Sequence, residues 1–270
     1  MSAARPSPPP APQPVPELHA PSRWTAIDIL SDLHLQAGLP GTTAAWARHL
    51  TTTAAQAVIL LGDIFEVWVG DDAAEPGSFE AHCAAILREA SRTRTLYFMA
   101  GNRDFLVGPD FLARCGVQAL PDPTVLVAFG RRWLLSHGDA LCLDDVEYQA
   151  FRRQVREPSW QQAFLAQPLA QRRELAARMR CASEQRKREH GLEGYGDLDA
   201  AAVLDWLRAC EAEALIHGHT HRPADHSLPE GRQRHVLSDW DFDTHGHPPR
   251  GEVLRLQAQG LQRLAVPAAP

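Results

Sequence analysis

Five short polar motifs contain residue types that bind metal ions, and each follows a run of apolar residues. The motifs are Asp32-Leu33-His34, Gly62-Asp63, Gly101-Asn102, His137-Gly138-Asp139 and Gly218-His219-Thr220-His221. They offer carboxylates, an amide oxygen and imidazoles but no thiolate, a mixture that suits divalent ions such as Mn²⁺ better than a structural zinc. Two such ions bridged by a carboxylate hold a phosphoryl group and activate water at neutral pH. The motifs therefore predict a metal-dependent hydrolase of phosphoesters or phosphoanhydrides.

The spacing of the motifs assigns a role to each predicted ligand. Asp32 and His34 are two positions apart on an extended segment, so their side chains face the same side and can reach one ion. Asp63 follows an apolar strand and a glycine, and we expect it to bridge both ions. The remaining assignments are His221 to the first ion, His137 and His219 to the second, and Asn102 as a neutral oxygen ligand. Each motif alone is weak, and the prediction rests on finding all five together.

The apolar runs before the motifs predict the strands that position them. These runs cover residues 26–30, 58–61, 96–99, 133–135 and 214–216. Helix-like stretches at 42–55 and 79–91 alternate with the first strands, which predicts an α/β fold with a largely parallel sheet and a site beyond the carboxyl ends of its strands. A hairpin turn is expected at Phe129-Gly130-Arg131. Three later strands, near 234–237, 251–256 and 262–265, are expected to form a second, mixed sheet.

Two segments depart from this alternation and define the predicted domain boundaries. Residues 145–207 have a helical pattern throughout, and we interpret them as a helical cap inserted into a main domain of residues 24–270. Residues 1–23 are rich in proline and alanine and lack the apolar core of a signal peptide, so we expect a disordered tail.

Composition narrows the class of protein. The net charge of −6 argues against general nucleic-acid binding, although residues 150–190 contain ten basic and four acidic side chains. The five cysteines form no Cys-x-x-Cys pair, which fits a reducing cytoplasm rather than a disulfide framework. No apolar run approaches the roughly 20 residues that cross a bilayer. We therefore expect a cytoplasmic protein, and no obligate protein partner is predicted.

The motifs resemble those of the calcineurin-like metallophosphoesterases, whose fold is two mixed sheets between helices. The stretches at 31–35, 62–72, 101–106 and 216–223 narrow the match, because they resemble the UDP-2,3-diacylglucosamine hydrolases of lipid A biosynthesis. This resemblance runs from about residue 26 to residue 256. It implies two Mn²⁺ ions and attack of water on the pyrophosphate of UDP-2,3-diacylglucosamine, which gives UMP and 2,3-diacylglucosamine 1-phosphate. It also implies a protein peripheral to the cytoplasmic face of the inner membrane.

Arg103 follows Asn102 where many members of the wider superfamily carry a histidine that is proposed to protonate an alkoxide leaving group. Arginine keeps its proton at any working pH, so Arg103 cannot play that part. A phosphate leaving group needs little help, since its second pKa is only about 6. Arg103 is suited instead to a forked grip on phosphate oxygens. This favours a pyrophosphate substrate, and we expect no catalytic acid from the protein.

The resemblance also assigns substrate contacts. At the metal centre these are Asn102, Arg103 and His219, and in the cap they are Asp145, Ser183, Lys187 and His190. Two interpretations of the cap stay open. Its apolar side chains, among them Trp160 and Phe164, pack on the main domain beneath solvated arginines, or they line a chamber for two acyl chains with a basic rim. The alternative functions are a hydrolase of soluble nucleotide pyrophosphates or phosphodiesters and a catalytically silent scaffold.

Overall fold

The computed structural model of the chain describes residues 14–190 and 196–268, apart from the side chains of residues 182–190. Twelve strands form two six-stranded sheets. The strands are β1 (Glu17–His19), β2 (Ala26–Leu30), β3 (Ala57–Leu61), β4 (Thr95–Met99), β5 (Val117–Ala119), β6 (Thr124–Ala128), β7 (Arg131–Leu135), β8 (Ala214–His217), β9 (Ala224–Ser227), β10 (Gln233–Val236), β11 (Glu252–Gln257) and β12 (Gly260–Ala265). The helices within the described ranges are α1 (Pro40–Thr52), α2 (Phe79–Ser91), α3 (Pro109–Cys115), α4 (Val146–Arg156), α5 (Pro158–Leu165), α6 (Leu169–His190) and α7 (Ala200–Ala209).

The first sheet has the order β12-β11-β2-β3-β4-β5, and its strands β2 to β5 are parallel as predicted. The prediction that all three C-terminal strands join the second sheet is wrong. Only β10 does so, while β11 pairs antiparallel with β2 and places Leu254 opposite Ile29. The physical reason is that β11 is apolar on both faces: Val253 packs towards the outer helices, and Leu254 and Leu256 pack between the sheets.

The second sheet has the order β1-β6-β7-β8-β10-β9. Strands β6 and β7 form the expected antiparallel hairpin, which turns at Phe129 and Gly130. The prediction of a disordered tail over residues 1–23 is wrong for its described part, because Glu17–His19 form an edge strand parallel to β6. An ion pair of 2.8 Å between Glu17 Oε1 and Arg132 Nη2 supports this strand. Residues 1–13 lie outside the description.

Three apolar clusters hold the layers together. Ile29, Ile59 and Leu135 belong to the cluster between the two sheets. A second cluster joins the outer face of the first sheet to α1, α2 and α3, and a third joins the second sheet to α7. The result is a helix–sheet–sheet–helix sandwich, as the resemblance implied. None of the helices in the described ranges has the length and apolar composition needed to span a membrane.

The cap is smaller than the sequence predicted. Trp206 and Leu207 of α7 are buried against Leu134 and Leu215 of the second sheet, so α7 belongs to the main domain. Helix α7 is amphipathic and begins at Asp199, whose side chain accepts a hydrogen bond from Ala202 N. The inserted cap therefore consists of α4, α5 and α6.

Asp28 is a fully buried carboxylate in the middle of β2. Its oxygens accept hydrogen bonds of 2.7 and 2.9 Å from Arg255 of β11 and one of 2.5 Å from Thr53. Burial alone would raise the pKa of Asp28, but Arg255, His49 and Thr53 outweigh it and lower the pKa from 3.8 to about 2. A carboxyl group whose pKa is lower in the folded than in the unfolded chain stabilises the fold at pH values above its unfolded pKa. This stabilisation is lost as the pH falls towards its folded-state pKa.

Asp28→Asn is therefore expected to lower the free energy of unfolding by about 2 kcal/mol at neutral pH, measured by urea denaturation. The difference from the wild type should shrink as the pH falls from about 5 towards about 3. Asp205→Asn is the matched control, because Asp205 is exposed and makes only a surface pair with Arg208. If Asp28→Asn lowered the free energy of unfolding by the same amount at every pH, this account would be contradicted.

Candidate metal centre

The seven predicted ligands converge between the ends of five strands, β2, β3 and β4 from one sheet and β7 and β8 from the other. Asp32, His34 and His221 form a first group whose ligand atoms lie within 4.8 Å of one another. His221 Nε2 lies 3.4 Å from Asp32 Oδ1 and 3.1 Å from His34 Nε2. These distances leave room for one ion among the three side chains.

Asp63, Asn102, His137 and His219 form a second group beside the first. Asn102 Oδ1 lies 3.0 Å from His137 Nε2 and 2.8 Å from His219 Nδ1. Asp63 lies between the groups: its Oδ1 is 3.5 Å from His137 Nε2, and its Oδ2 is 4.0 Å from His34 Nε2. One carboxylate therefore faces both groups, the arrangement that a bridging ligand requires.

Carboxylate and carbonyl oxygens lie next to the Nδ1 atoms of three imidazoles, two of them at hydrogen-bond distance, and this turns the Nε2 atoms into the site. His34 Nδ1 donates to Glu66 Oε2 at 2.7 Å, and His221 Nδ1 faces Asp239 Oδ2 at 3.9 Å. His137 Nδ1 donates to the Leu61 carbonyl at 3.1 Å. In each case Nε2 is left as the nitrogen that points inward, and the two Nε2 atoms of the first group face each other. Facing lone pairs repel unless a cation lies between them, so this donor set fits a metal ion.

The electrostatics of the site favour a cation. Burial alone would lower the pKa of His137, but Asp63 and Asp32 outweigh it and raise the pKa to about 9. The same carboxylates that favour a proton on His137 favour a divalent ion in its place. Burial, reinforced by neighbouring His137, lowers the pKa of His219 to about 4, so His219 is neutral and its lone pair is available to a metal.

The backbone at the site adopts conformations that L-residues rarely take. Five of the seven predicted ligands have positive φ: Asp32 (54°), His34 (49°), Asp63 (52°), His219 (68°) and His221 (53°). A left-handed non-glycine residue persists only where its surroundings hold it, and such residues cluster at functional sites. These turns direct both side chains of Asp32-x-His34, and both histidines of His219-x-His221, into one cleft.

Two features hold the loops in this shape. Asp104 is buried and accepts hydrogen bonds from Gly101 N and Ile64 N, both 2.7 Å, which ties the loop after β3 to the loop after β4. Gly101 lies against Asp63 so closely that a Cβ atom there would overlap the Asp63 backbone nitrogen and carboxylate. The Gly-Asn motif therefore needs glycine at position 101, because a larger residue would displace Asp63 from its place beside Asn102.

The cap helix α4 supports the second group from behind. The Tyr148 ring stacks on His219 with centroids 6.1 Å apart, and its hydroxyl donates to Asp139 Oδ2 at 2.5 Å. Arg152 Nε donates to the same oxygen at 2.8 Å. Burial and the Asp139 carboxylate raise the pKa of Tyr148 well above 10. The support of His219 by Tyr148, and of Tyr148 by Asp139, was not predicted from the sequence.

Arg103 and Asp145 are two of the predicted substrate contacts, and the structure describes both. The Arg103 backbone nitrogen donates to Asp63 Oδ1 at 2.8 Å, which keeps the residue beside the candidate bridging carboxylate. Asp145 caps α4 by accepting a hydrogen bond of 2.9 Å from Tyr148 N. The predicted contacts Ser183, Lys187 and His190 lie on α6, and their side chains fall outside the described residues.

The rest of the cap packs on the main domain. Trp160 stacks on Phe164 with ring centroids 5.1 Å apart, and Phe164 is buried in the core beneath. Arg172 is only 2% exposed: it bonds to the Val69 carbonyl and pairs with Asp72. The expectation that the cap arginines are solvated is wrong for Arg172.

Comparison with known proteins agrees with this geometry. Residues 25–223 match the calcineurin-like phosphoesterases. The UDP-2,3-diacylglucosamine hydrolase of Chromobacterium violaceum is 45% identical over 246 residues, which cover 88% of this chain and 98% of that protein. The protein of the same name from Ralstonia nicotianae is 48% identical over 243 residues, covering 86% of this chain and 89% of that protein. The chain belongs to this family of calcineurin-like hydrolases.

Membership of this family confirms the predicted family, fold and enzyme class: the chain is a hydrolase. A further relative, the UDP-2,3-diacylglucosamine hydrolase of Xanthomonas axonopodis pv. citri, is 42% identical and covers 88% of this chain and 98% of its own length. Metallophosphoesterases use a dinuclear metal centre, and the two ligand groups described above are the candidates for it here.

Proposed function

We propose that the chain hydrolyses the pyrophosphate bond of UDP-2,3-diacylglucosamine and releases UMP and 2,3-diacylglucosamine 1-phosphate, with two Mn²⁺ ions bound. The observation that carries this proposal is the convergence of seven hard and borderline donors, Asp63 and six others, with Arg103 directly beside them. The names of relatives at 42–48% identity supply the substrate class.

The donor set divides between two ions. Asp32, His34 and His221 would hold the first, and Asn102, His137 and His219 the second, with Asp63 shared between them. Two divalent ions at such a centre supply Lewis acidity for the phosphoryl oxygens and lower the pKa of water. Oxygen and imidazole ligands without thiolate are compatible with Mn²⁺.

The protein's own part in the reaction is binding and orientation. Arg103 would hold a phosphate oxygen pair in its guanidinium fork, which orients the pyrophosphate along the two ion sites. No side chain has to protonate the leaving group, because a phosphate with a second pKa of about 6 leaves readily. His219 is held by the Tyr148 ring and would present its imidazole to both metal and substrate.

The cap would bind the lipid part of the substrate. Leu165 of α5 is exposed beside Trp160 and Phe164, and the arginine-rich α6 continues from them. An apolar surface with basic neighbours suits acyl chains and an anionic membrane surface. We therefore propose that the protein works in the cytoplasm and contacts the inner membrane peripherally while it collects substrate.

The test is hydrolysis by metal-stripped protein with and without added Mn²⁺, on UDP-2,3-diacylglucosamine, UDP-N-acetylglucosamine and an aryl phosphodiester. Hydrolysis should depend on Mn²⁺ and be at least about 100-fold faster with the lipid than with either soluble compound, because only the lipid has acyl chains for the cap to bind. Comparable turnover of the soluble compounds would contradict the substrate and favour a hydrolase of soluble nucleotides. No Mn²⁺-dependent turnover of any compound would contradict the catalytic proposal as a whole.

A further inference from the structure

Glu66 contacts the metal centre, the phosphate clamp and the cap at once, although it is not among the predicted ligands. It lies in the loop after β3 and is 8% exposed. Its Oε2 accepts the 2.7 Å hydrogen bond from His34 Nδ1. Its Oε1 lies 3.1 Å from Arg180 Nε of α6 and 3.8 Å from Arg103 Nη1. Each carboxylate oxygen thus has a separate task.

Two arginines of helix α6 bind carboxylates of the main domain, in addition to the packing of Leu175 and Ala176 on its core. Arg172, near its start, is buried and bound to Asp72 and the Val69 carbonyl. Arg180 follows eight residues later, about 12 Å along the helix axis. The Arg172 contact fixes where the helix begins, and the contact of Arg180 with Glu66 fixes where it passes the metal centre. The next turn of the helix carries Ser183, a predicted substrate contact.

We propose that Glu66 is a positioning residue that couples the cap to the metal centre, orienting His34 through one oxygen and holding α6 and Arg103 through the other. The side chains of the Glu66–Arg180 pair are 10% and 36% exposed, so water screens this pair less than a surface pair. In its effects on turnover and on Mn²⁺ binding this proposal rests on the proposed function, whereas its effect on α6 does not.

Three variants separate the two tasks. Glu66→Gln keeps an oxygen that accepts from His34 Nδ1 but loses the charge that binds Arg180. Arg180→Met removes the contact of the cap with Glu66, together with the 3.4 Å hydrogen bond from Arg180 to Gln36, and leaves the bond between Glu66 and His34 in place. Glu66→Ala removes both contacts of Glu66. Arg173→Met is the matched control, because Arg173 lies on the same helix but pairs with exposed Glu75 at 3.7 Å.

Metal affinity, measured by calorimetric titration of metal-stripped protein with Mn²⁺, reports on the His34 task. Glu66→Ala should weaken Mn²⁺ binding by about 10-fold or more, as expected for loss of the group that orients a ligand histidine. Glu66→Gln should stay within about threefold of the wild type, and Arg180→Met within about twofold. Wild-type Mn²⁺ affinity in folded Glu66→Ala would overturn this half of the proposal.

Amide hydrogen exchange across residues 169–190 of the full chain reports on the cap task. Exchange should accelerate by about fivefold or more in Glu66→Gln and Arg180→Met, with no further increase in the double variant. Arg173→Met should leave it unchanged. Unchanged exchange in both single variants, or fully additive effects in the double variant, would overturn the coupling. Because neither readout uses substrate, both can succeed even where UDP-2,3-diacylglucosamine proves to be the wrong substrate.

Discussion

Asp63→Asn is expected to lower kcat/KM by about 10⁴-fold, because a metal ion contributes several kcal/mol of transition-state stabilisation. Asp63 lies between the two ligand groups, with Oδ1 towards His137 and Oδ2 towards His34. Asparagine has nearly the same shape, but it removes the negative charge and turns an NH₂ group towards one ion. Calorimetric titration should then detect at most one Mn²⁺, against the two proposed for the wild type.

The matched control is Asp110→Asn, since Asp110 is exposed on α3, away from the ligand groups. It should leave both kcat/KM and the Mn²⁺ stoichiometry unchanged. The far-UV circular dichroism spectra of both variants should equal that of the wild type, which separates loss of the centre from loss of the fold. Two Mn²⁺ ions bound with wild-type affinity to Asp63→Asn would contradict the bridging role.

Arg103→Lys is expected to lower kcat/KM for UDP-2,3-diacylglucosamine by about 10²–10³-fold with Mn²⁺ affinity unchanged, because lysine keeps the charge but cannot grip two phosphate oxygens. Initial rates at saturating Mn²⁺ measure this effect. Arg88→Lys, an exposed position on α2, is the control. An Arg103→Lys rate within a few-fold of the wild type would mean that the guanidinium fork does not hold the substrate.

Arg103→His tests the leaving-group argument at the same position. The substitution places an imidazole where many relatives in the superfamily have one, yet the cap that surrounds the site is unchanged. We expect it to create no efficient hydrolysis of an alkyl phosphodiester, whose alkoxide leaving group depends on an acid. Efficient hydrolysis would mean that residue 103 alone, and not the cap, selects the class of substrate.

The convergence of the candidate metal ligands could be predicted from the sequence because local signals determine their positions. A buried strand such as β3 appears as an uninterrupted apolar run, and the polar residue that ends it must lie at the edge of the sheet. The glycine of Gly101-Asn102 marks a close approach of the backbone to Asp63. Neither signal requires knowledge of which strands are neighbours.

Pairing partners could not be predicted in the same way. β11 mixes apolar and polar residues as many edge and interior strands do, and only the packing of Val253 and Leu254 on opposite faces places it beside β2. β1 is three residues long and follows a proline-rich stretch. The composition of that stretch predicted disorder, and three residues are too few to indicate a strand against it. Glu66 was missed because its partners His34, Arg103 and Arg180 come from three distant parts of the chain.

The pairing of β2 with β11 has a consequence for the order in which the protein matures. Asp28 of β2 and its partner Arg255 of β11 are separated by 227 positions in the sequence. While the chain is being synthesised, β2 can pair with β3 on one side, but its other edge stays open until β11 leaves the ribosome. The turn that carries Asp32 and His34 extends from this half-paired strand. The turn therefore rests on a strand that is paired on both edges only after the last strands have been synthesised.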